Sequence, residues 1–209
     1  MVNFYLIARG GDRTERKAVN DDYTPTECQW LLGISRQALI AASSGAPPPL
    51  FDISYVPPRL QELRACFITL TMNGELRGCT GTLAARRPLA EEVAYSTVQT
   101  ALFDPRFAPI SPEQVSSTRI EISVLTPSQP LYYDSPDDLI RRLRPHVDGV
   151  TLRIGQNRST FLPQVWERLN DPIEFLTLLS RKMGLPGDSW RKSDIQVETY
   201  QAIKIVEPE

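Results

Sequence analysis

The chain has one histidine, His146, and three cysteines, Cys28, Cys66 and Cys79, in 209 residues. A single histidine argues against a cysteine–histidine dyad or a histidine-rich metal centre. An odd cysteine count without paired spacing suggests neither a disulfide framework nor a zinc site. No Walker-type or dinucleotide-binding glycine loop is present, and no His-Glu-x-x-His. Neither a metal nor a cofactor is therefore expected. A basic excess is also missing: 23 Lys and Arg stand against 25 Asp and Glu, a net charge of −2, which makes a nucleic-acid regulator the weakest functional reading. No apolar run approaches the ~20 residues of a membrane span. The apolar core of the opening Met1–Arg9 is too short for a signal peptide. These absences fit a cytoplasmic protein in a reducing setting.

What is present is punctuation. The 18 prolines fall mostly at helix starts and in loops. Thr24-Pro25-Thr26-Glu27 is a capping box with proline at the first helical position. Leu31, Ile34, Ala38 and Ala41 follow at helical spacing, and Ser44-Gly45 ends the run. Pro88 opens a second helix with Glu91 and Glu92 at its positive end, and Asp104-Pro105 closes it. Shorter helices start at Ser111-Pro112, Ser135-Pro136, Pro163 and Asp171-Pro172, the last ending at Gly184. Ile120, Ile122 and Val124 alternate with Arg119, Glu121 and Ser123 as a half-buried strand. Val150–Ile154 and Ser159–Leu162 read as a hairpin across Gly155-Gln156-Asn157. Ile195 to Ile205 reads as one long closing strand, and Val2–Ala8 as a strand near the start. Capped helices among hairpins argue an α+β fold, a mostly antiparallel sheet flanked by helices.

The most informative stretch is Leu76-Arg77-Gly78-Cys79-Thr80-Gly81, the second arm of a hairpin turning at Asn73-Gly74. With those two turn residues, Met72 faces Glu75, Ile68 faces Cys79 and Cys66 faces Gly81. Cys66, Ile68, Cys79 and Arg77 then share one face unless a bulge intervenes. The thiols of Cys66 and Cys79 would be diagonal neighbours at roughly 7–8 Å, too far for a disulfide, so free thiols are expected.

At this motif the chain resembles the AMMECR domain family. Further matches are Pro88–Val93, Phe103-Asp104-Pro105-Arg106-Phe107, Glu121–Leu125, Val147–Val150, Phe161–Trp166 and Lys182–Pro186 followed by Trp190. They run in family order from about Thr24 to about Val206. The resemblance implies residues 1–22 as an N-terminal extension and 23–206 as an AMMECR-type domain. That domain would have a large sheet part, a smaller α/β part and a cleft near the Arg-Gly-Cys motif. It also implies association with Memo-like and radical S-adenosylmethionine proteins, but it assigns no reaction. Thr80 stands where the family usually has isoleucine, and His146 where relatives tend to have glycine.

Cys79 is the candidate nucleophile or ligand-contacting thiol, with Arg77 favouring the reactive thiolate. A packed, inert cysteine explains it as well. Glu121 is a candidate general base, although a solvated strand face accounts for it equally. Gly78 and Gly81 would let a substrate approach the backbone. Asp104 and Arg106 either brace a loop or present an arginine to an anion. Ser123, beside Glu121, and Gln164 complete the candidate binding set, while Trp166 reads as core. Arg141, Arg142 and Arg144 read as a solvated helix face. Two functions follow. One is a ligand- or partner-binding domain for a small molecule or peptide, with activity at a Cys79 cleft left open. The alternative is a cysteine-dependent enzyme acting on a small anionic or acyl-bearing substrate.

Overall fold

A computed structural model describes residues 23–208, so the strand expected at Val2–Ala8 lies outside the described residues. In chain order the regular elements are α1 (Pro25–Ser43), β1 (Cys66–Met72), β2 (Glu75–Gly81), α2 (Leu89–Phe103), β3 (Thr118–Leu125), β4 (Gln129–Pro130), α3 (Pro136–Arg142), β5 (Gly149–Ile154), β6 (Asn157–Phe161), α4 (Pro172–Lys182), β7 (Gln196–Tyr200) and β8 (Ala202–Val206). The strands form two four-stranded antiparallel sheets, ordered β2-β1-β3-β8 and β4-β7-β5-β6. The fold is α+β. The chain divides into two compact units, one running to Val124 and resuming at Ile203, the other Leu125–Ala202. No helix among the described residues is long and apolar enough to cross a membrane.

In the first unit, helix α1 starts as its capping box requires. The Glu27 amide donates to Thr24 Oγ1 at 3.3 Å, and the Thr24 amide donates to Glu27 Oε2 at 2.7 Å. Leu31, Ile34, Ala38 and Leu39 of α1 meet Leu89, Ala90 and Val93 of α2 in one core. Cys66, Ile68 and Leu70 of β1 join them, together with Ile120, Ile122 and Val124 of β3. Period-two burial along β1 therefore gives this sheet one apolar face and one partly exposed face. Where the two helices meet, the Ser35 and Thr97 hydroxyls bond at 2.7 Å, and Thr97 is satisfied again by the Val93 carbonyl.

The second unit is built around Trp166, fully buried and stacked on Phe175 at 3.7 Å between ring centres with planes 5° apart. Its indole N–H donates to the Asp148 carbonyl at 2.7 Å. The Asp148 carboxylate is itself buried and accepts from the Arg144 backbone amide at 3.0 Å and from its guanidinium at 2.6 Å. Arg141 and Arg142 do lie on a helix and pair with Asp138. Arg144 does not belong to that solvated face, because it clasps Asp148.

Two strand boundaries differ from expectation. The closing strand is two strands in different sheets, interrupted at Gln201. Gln201 spends its backbone on Thr126: its amide donates to Thr126 Oγ1 at 2.8 Å and its carbonyl accepts from the Thr126 amide at 2.9 Å. The second hairpin turns on Gly155-Gln156 alone, with Ile154 paired to Asn157, so Asn157 and Arg158 belong to β6. Gly155, at φ +55°, supplies the left-handed turn residue.

His146 has φ +64°. This is the left-handed region, where a side chain is strained and glycine is not, so histidine at this position has a conformational cost. His146→Gly is expected to raise stability by about 0.5 kcal/mol, strain relief being partly offset by the greater freedom of glycine in the unfolded chain. Thermal unfolding would show this as a rise of about 1–2 °C; a fall would mean the imidazole makes a compensating interaction.

Candidate functional site

Strand β2 turns back from β1 at Asn73-Gly74, whose φ values of +51° and +81° suit a two-residue hairpin turn. Met72 faces Glu75 as the sequence predicts, but the pairing then slips. Thr71 faces Leu76 while Leu70 faces Gly78, leaving Arg77 as the extra residue of a bulge. Beyond it Cys79 faces Thr69, Thr80 faces Ile68 and Gly81 faces Phe67. A slip of one residue exchanges the two faces of a strand. Cys79 is therefore on the face of Thr69 and Phe67, opposite Cys66 and Ile68, and the expected sharing of one face is corrected. Among the described residues no disulfide joins Cys28, Cys66 or Cys79.

The glycines explain the bulge. A Cβ on Gly78 would sit 2.9 Å from Thr100 Cγ2 and 3.0 Å from the Thr100 carbonyl oxygen. Helix α2 thus lies against the strand closely enough to admit only glycine, and the extra residue turns Gly78 toward it. A Cβ on Gly81 would collide with the Cys66 carbonyl oxygen and lie 2.6 Å from Phe67 Cα. At both positions the missing Cβ makes room for the protein's own chain. Thr80 joins the same contact through a 2.6 Å hydrogen bond between its hydroxyl and that of Thr100.

Within its sheet β2 is an edge strand, and its outward backbone groups at Cys79 are both occupied. The Cys79 amide donates to Asp104 Oδ2 at 2.8 Å, and the Cys79 carbonyl accepts from Arg106 Nη2 at 2.9 Å. Arg106 grips the same carboxylate through Nε at 2.9 Å and Nη2 at 2.6 Å, and through its backbone amide at 3.1 Å. Asp104 is placed for this by the end of α2, where it is the C-cap. Its side chain is 2 % exposed, that of Arg106 53 %. The Arg106 hydrogen bonds, helped by the Cys79 amide, outweigh burial and hold the Asp104 carboxyl well below the usual carboxylate range. The same contact raises the Arg106 guanidinium further. Of the two readings open for this pair, the brace is what the geometry displays.

On the face away from the helices, Thr69 faces both Cys79 and Glu121, so the three form one row across β2, β1 and β3. The Thr69 hydroxyl donates to Cys79 Sγ at 3.5 Å. Glu121 lies two strand spacings from Cys79, roughly 10 Å, too far to take the thiol proton directly. It pairs instead with Lys204 at 3.4 Å and accepts from Ser123 Oγ at 3.4 Å. Arg77 reaches away from this row, donating to the Pro109 carbonyl and Gln114 Oε1, each at 3.3 Å. Its guanidinium and that of Arg106 flank the Phe107 ring at 5.8 and 5.4 Å. Gln164 belongs to the second unit, in the helical turn Pro163–Glu167. Thr69, the centre of the row, was not identified from sequence because only the bulge brings it opposite Cys79.

A cavity of about 360 Å³ opens beside the end of β2, with Gly81, Arg86, Arg87, Glu92, Tyr95 and Gln99 in its lining. Glu92 is buried, accepting from Ser96 Oγ at 2.8 Å and pairing with Arg87 at 3.1 Å. Arg87 also lies over the Tyr95 ring at 4.0 Å. Sequence reasoning read Glu92 only as an acid at a helix start. The available signal was the run of non-aliphatic residues Glu92, Tyr95, Ser96, Gln99 and Phe103 at helical spacing. Among the described residues, no group of three or more His, Cys, Asp or Glu is placed to hold a metal ion.

The AMMECR1 family profile matches residues 32–205. A protein of Methanothermobacter thermautotrophicus is 36% identical over 148 residues, covering 70% of this chain and 77% of that protein. Protein MK0488 of Methanopyrus kandleri is 33% identical over 190 residues, covering 88% and 90%. The crystal structure of the uncharacterized protein PH0010 from Pyrococcus horikoshii superposes with a TM-score of 0.70 at 30% identity, covering 86% of this chain and 90% of that one.

Because the folded state depresses the Asp104 pKa, the stability it contributes is full above the ordinary carboxylate value near ~4 and is lost as pH falls through the lower folded value. Asp104→Asn should destabilise by about 2 kcal/mol near neutral pH, the scale of hydrogen bonds to a charged group. The gap in melting temperature between the two proteins should shrink as pH is lowered from about 6 toward about 2; a gap constant with pH would contradict the brace.

Proposed function

We propose a ligand- or partner-binding role for this chain, which belongs to the AMMECR1 family, at the sheet face presented by β1, β2 and β3. The observation that carries the reading is the Cys79–Thr69–Glu121 row, whose backbone is held at Cys79 by a buried carboxylate and a guanidinium. Preorganised polar groups on regular strands suit recognition, since little ordering remains to be done on binding. The occupant proposed is a small anionic molecule or a peptide segment of a partner, with Lys204 and Arg106 as the flanking cations. Memo-like and radical S-adenosylmethionine proteins are the partners proposed first.

Binding is favoured over cysteine catalysis on geometric grounds. Within the first unit the thiol's hydrogen-bond partner is the Thr69 hydroxyl, a group that cannot serve as its base at neutral pH, and Glu121 is out of direct reach. Activation of a cysteine nucleophile needs a base or a cation in contact.

Titration of the purified protein against a purified Memo-like protein and a purified radical S-adenosylmethionine protein tests this. Wild type and Cys79→Ala are expected to bind one of them with affinities within about twofold, which the removal of a thiol outside any reaction allows. Lys204→Glu, which removes a flanking cation and sets a second carboxylate beside Glu121, is expected to weaken binding by about tenfold or more. Failure of wild type to bind either protein would remove the partner reading, and loss of binding in Cys79→Ala would return the thiol to the centre of the function.

A further inference from the structure

We infer that the cavity between the end of β2 and helix α2 is a binding site for a small monocarboxylate with an apolar or aromatic tail. The inference stands independently of the Cys79 face. Along an edge strand, successive residues point their N–H and C=O by turns toward the neighbouring strand and away from it. At Cys79 both groups point outward, to Asp104 and Arg106. The Thr82 amide points inward, donating to the Cys66 carbonyl at 3.0 Å. Gly81, two residues from Cys79, therefore faces outward again. There, among the described residues, no carboxylate or guanidinium hydrogen-bonds to the edge, and Gly81 is exposed and lines the cavity. The sheet edge is sealed at one outward residue and left open at the next, where a cavity begins.

The lining supplies what an anion needs beside that amide. Arg87 is fixed on both sides, by buried Glu92 at 3.1 Å and by the face of Tyr95 at 4.0 Å, so its remaining donors are held in place. Arg86 is exposed, and neither it nor Gln99 has a hydrogen-bond or ion-pair partner among the described residues. Two guanidiniums and one carboxylate leave the lining one positive charge in excess. That balance admits a monoanion, while the buried Glu92 carboxylate opposes a dianion such as phosphate at neutral pH. Arginine's planar fork matches a carboxylate. Tyr95 and Phe103, both exposed and both in the lining, give the tail aromatic surface to cover. A volume near 360 Å³ is at the small end of small-molecule sites.

The test is an amide NMR titration of the full chain with phenylacetate, with inorganic phosphate in parallel. Phenylacetate is expected to shift the Gly81 backbone amide and the Gln99 side-chain amide saturably. Arg86→Glu, a change at an exposed and unpartnered side chain, should weaken that binding at least tenfold without altering the spectrum of the free protein elsewhere. Phosphate should move the same signals less. No saturable shift at Gly81, equal binding by Arg86→Glu, or phosphate binding as tight as phenylacetate would each overturn the assignment.

Discussion

The Asp104 carboxylate is the constraint on which the rest of the first unit's surface depends. It is buried, ionised and shared between a guanidinium and a single strand amide. An edge strand leaves alternate amides and carbonyls unpaired, and natural proteins cover or blunt such edges. Here the covering is one residue long: Asp104 takes the N–H of Cys79 and Arg106 takes its C=O. The contact requires Cys79, not Gly78 or Thr80, to be the outward residue, which holds the bulged register in place. That register in turn decides which side chains share a face with the thiol. The second unit uses the same device, Asp148 accepting from both the backbone and the side chain of Arg144. In each unit a buried aspartate takes up a backbone amide that no strand ladder pairs.

Two different resources of one strand follow from this arrangement. The Cys79 side chain faces away from the helices and forms a polar row with Thr69 and Glu121. The backbone at Gly81 faces a cavity walled by arginines and by one side of α2. The glycines on either side of the cysteine serve packing in both cases, Gly78 against Thr100 and Gly81 against β1. Tight packing of α2 on β2 thus makes the bulge necessary, and the bulge makes the thiol row possible.

Much of this was legible in the sequence, for local reasons. Helix starts at Thr24, Ser135 and Asp171 carry their own hydrogen-bond acceptors, so their positions follow from short-range chemistry. The alternation of Ile120, Ile122 and Val124 placed β3 and its buried face. The register beyond Leu76 was not legible, because the bulge is set by the approach of Thr100 from a helix more than twenty residues away. Gln201 was missed for a similar reason: an alternating run continues unbroken through it, while its hydrogen bonds to Thr126 end one strand and begin another. Buried charge pairs such as Arg87–Glu92 have no periodic signature, so the cavity had no herald beyond the polar stripe of α2.

Hydrogen exchange of two neighbouring outward amides, Cys79 and Gly81, tests the central claim most directly. With the edge sealed at one residue and open at the next, the Cys79 amide should exchange about a hundredfold or more slower than that of Gly81, reflecting an opening free energy of a few kcal/mol. Asp104→Asn should remove most of that difference. Comparable protection at both amides in the wild-type protein, or a Cys79 amide that stays equally protected in Asp104→Asn, would contradict the account.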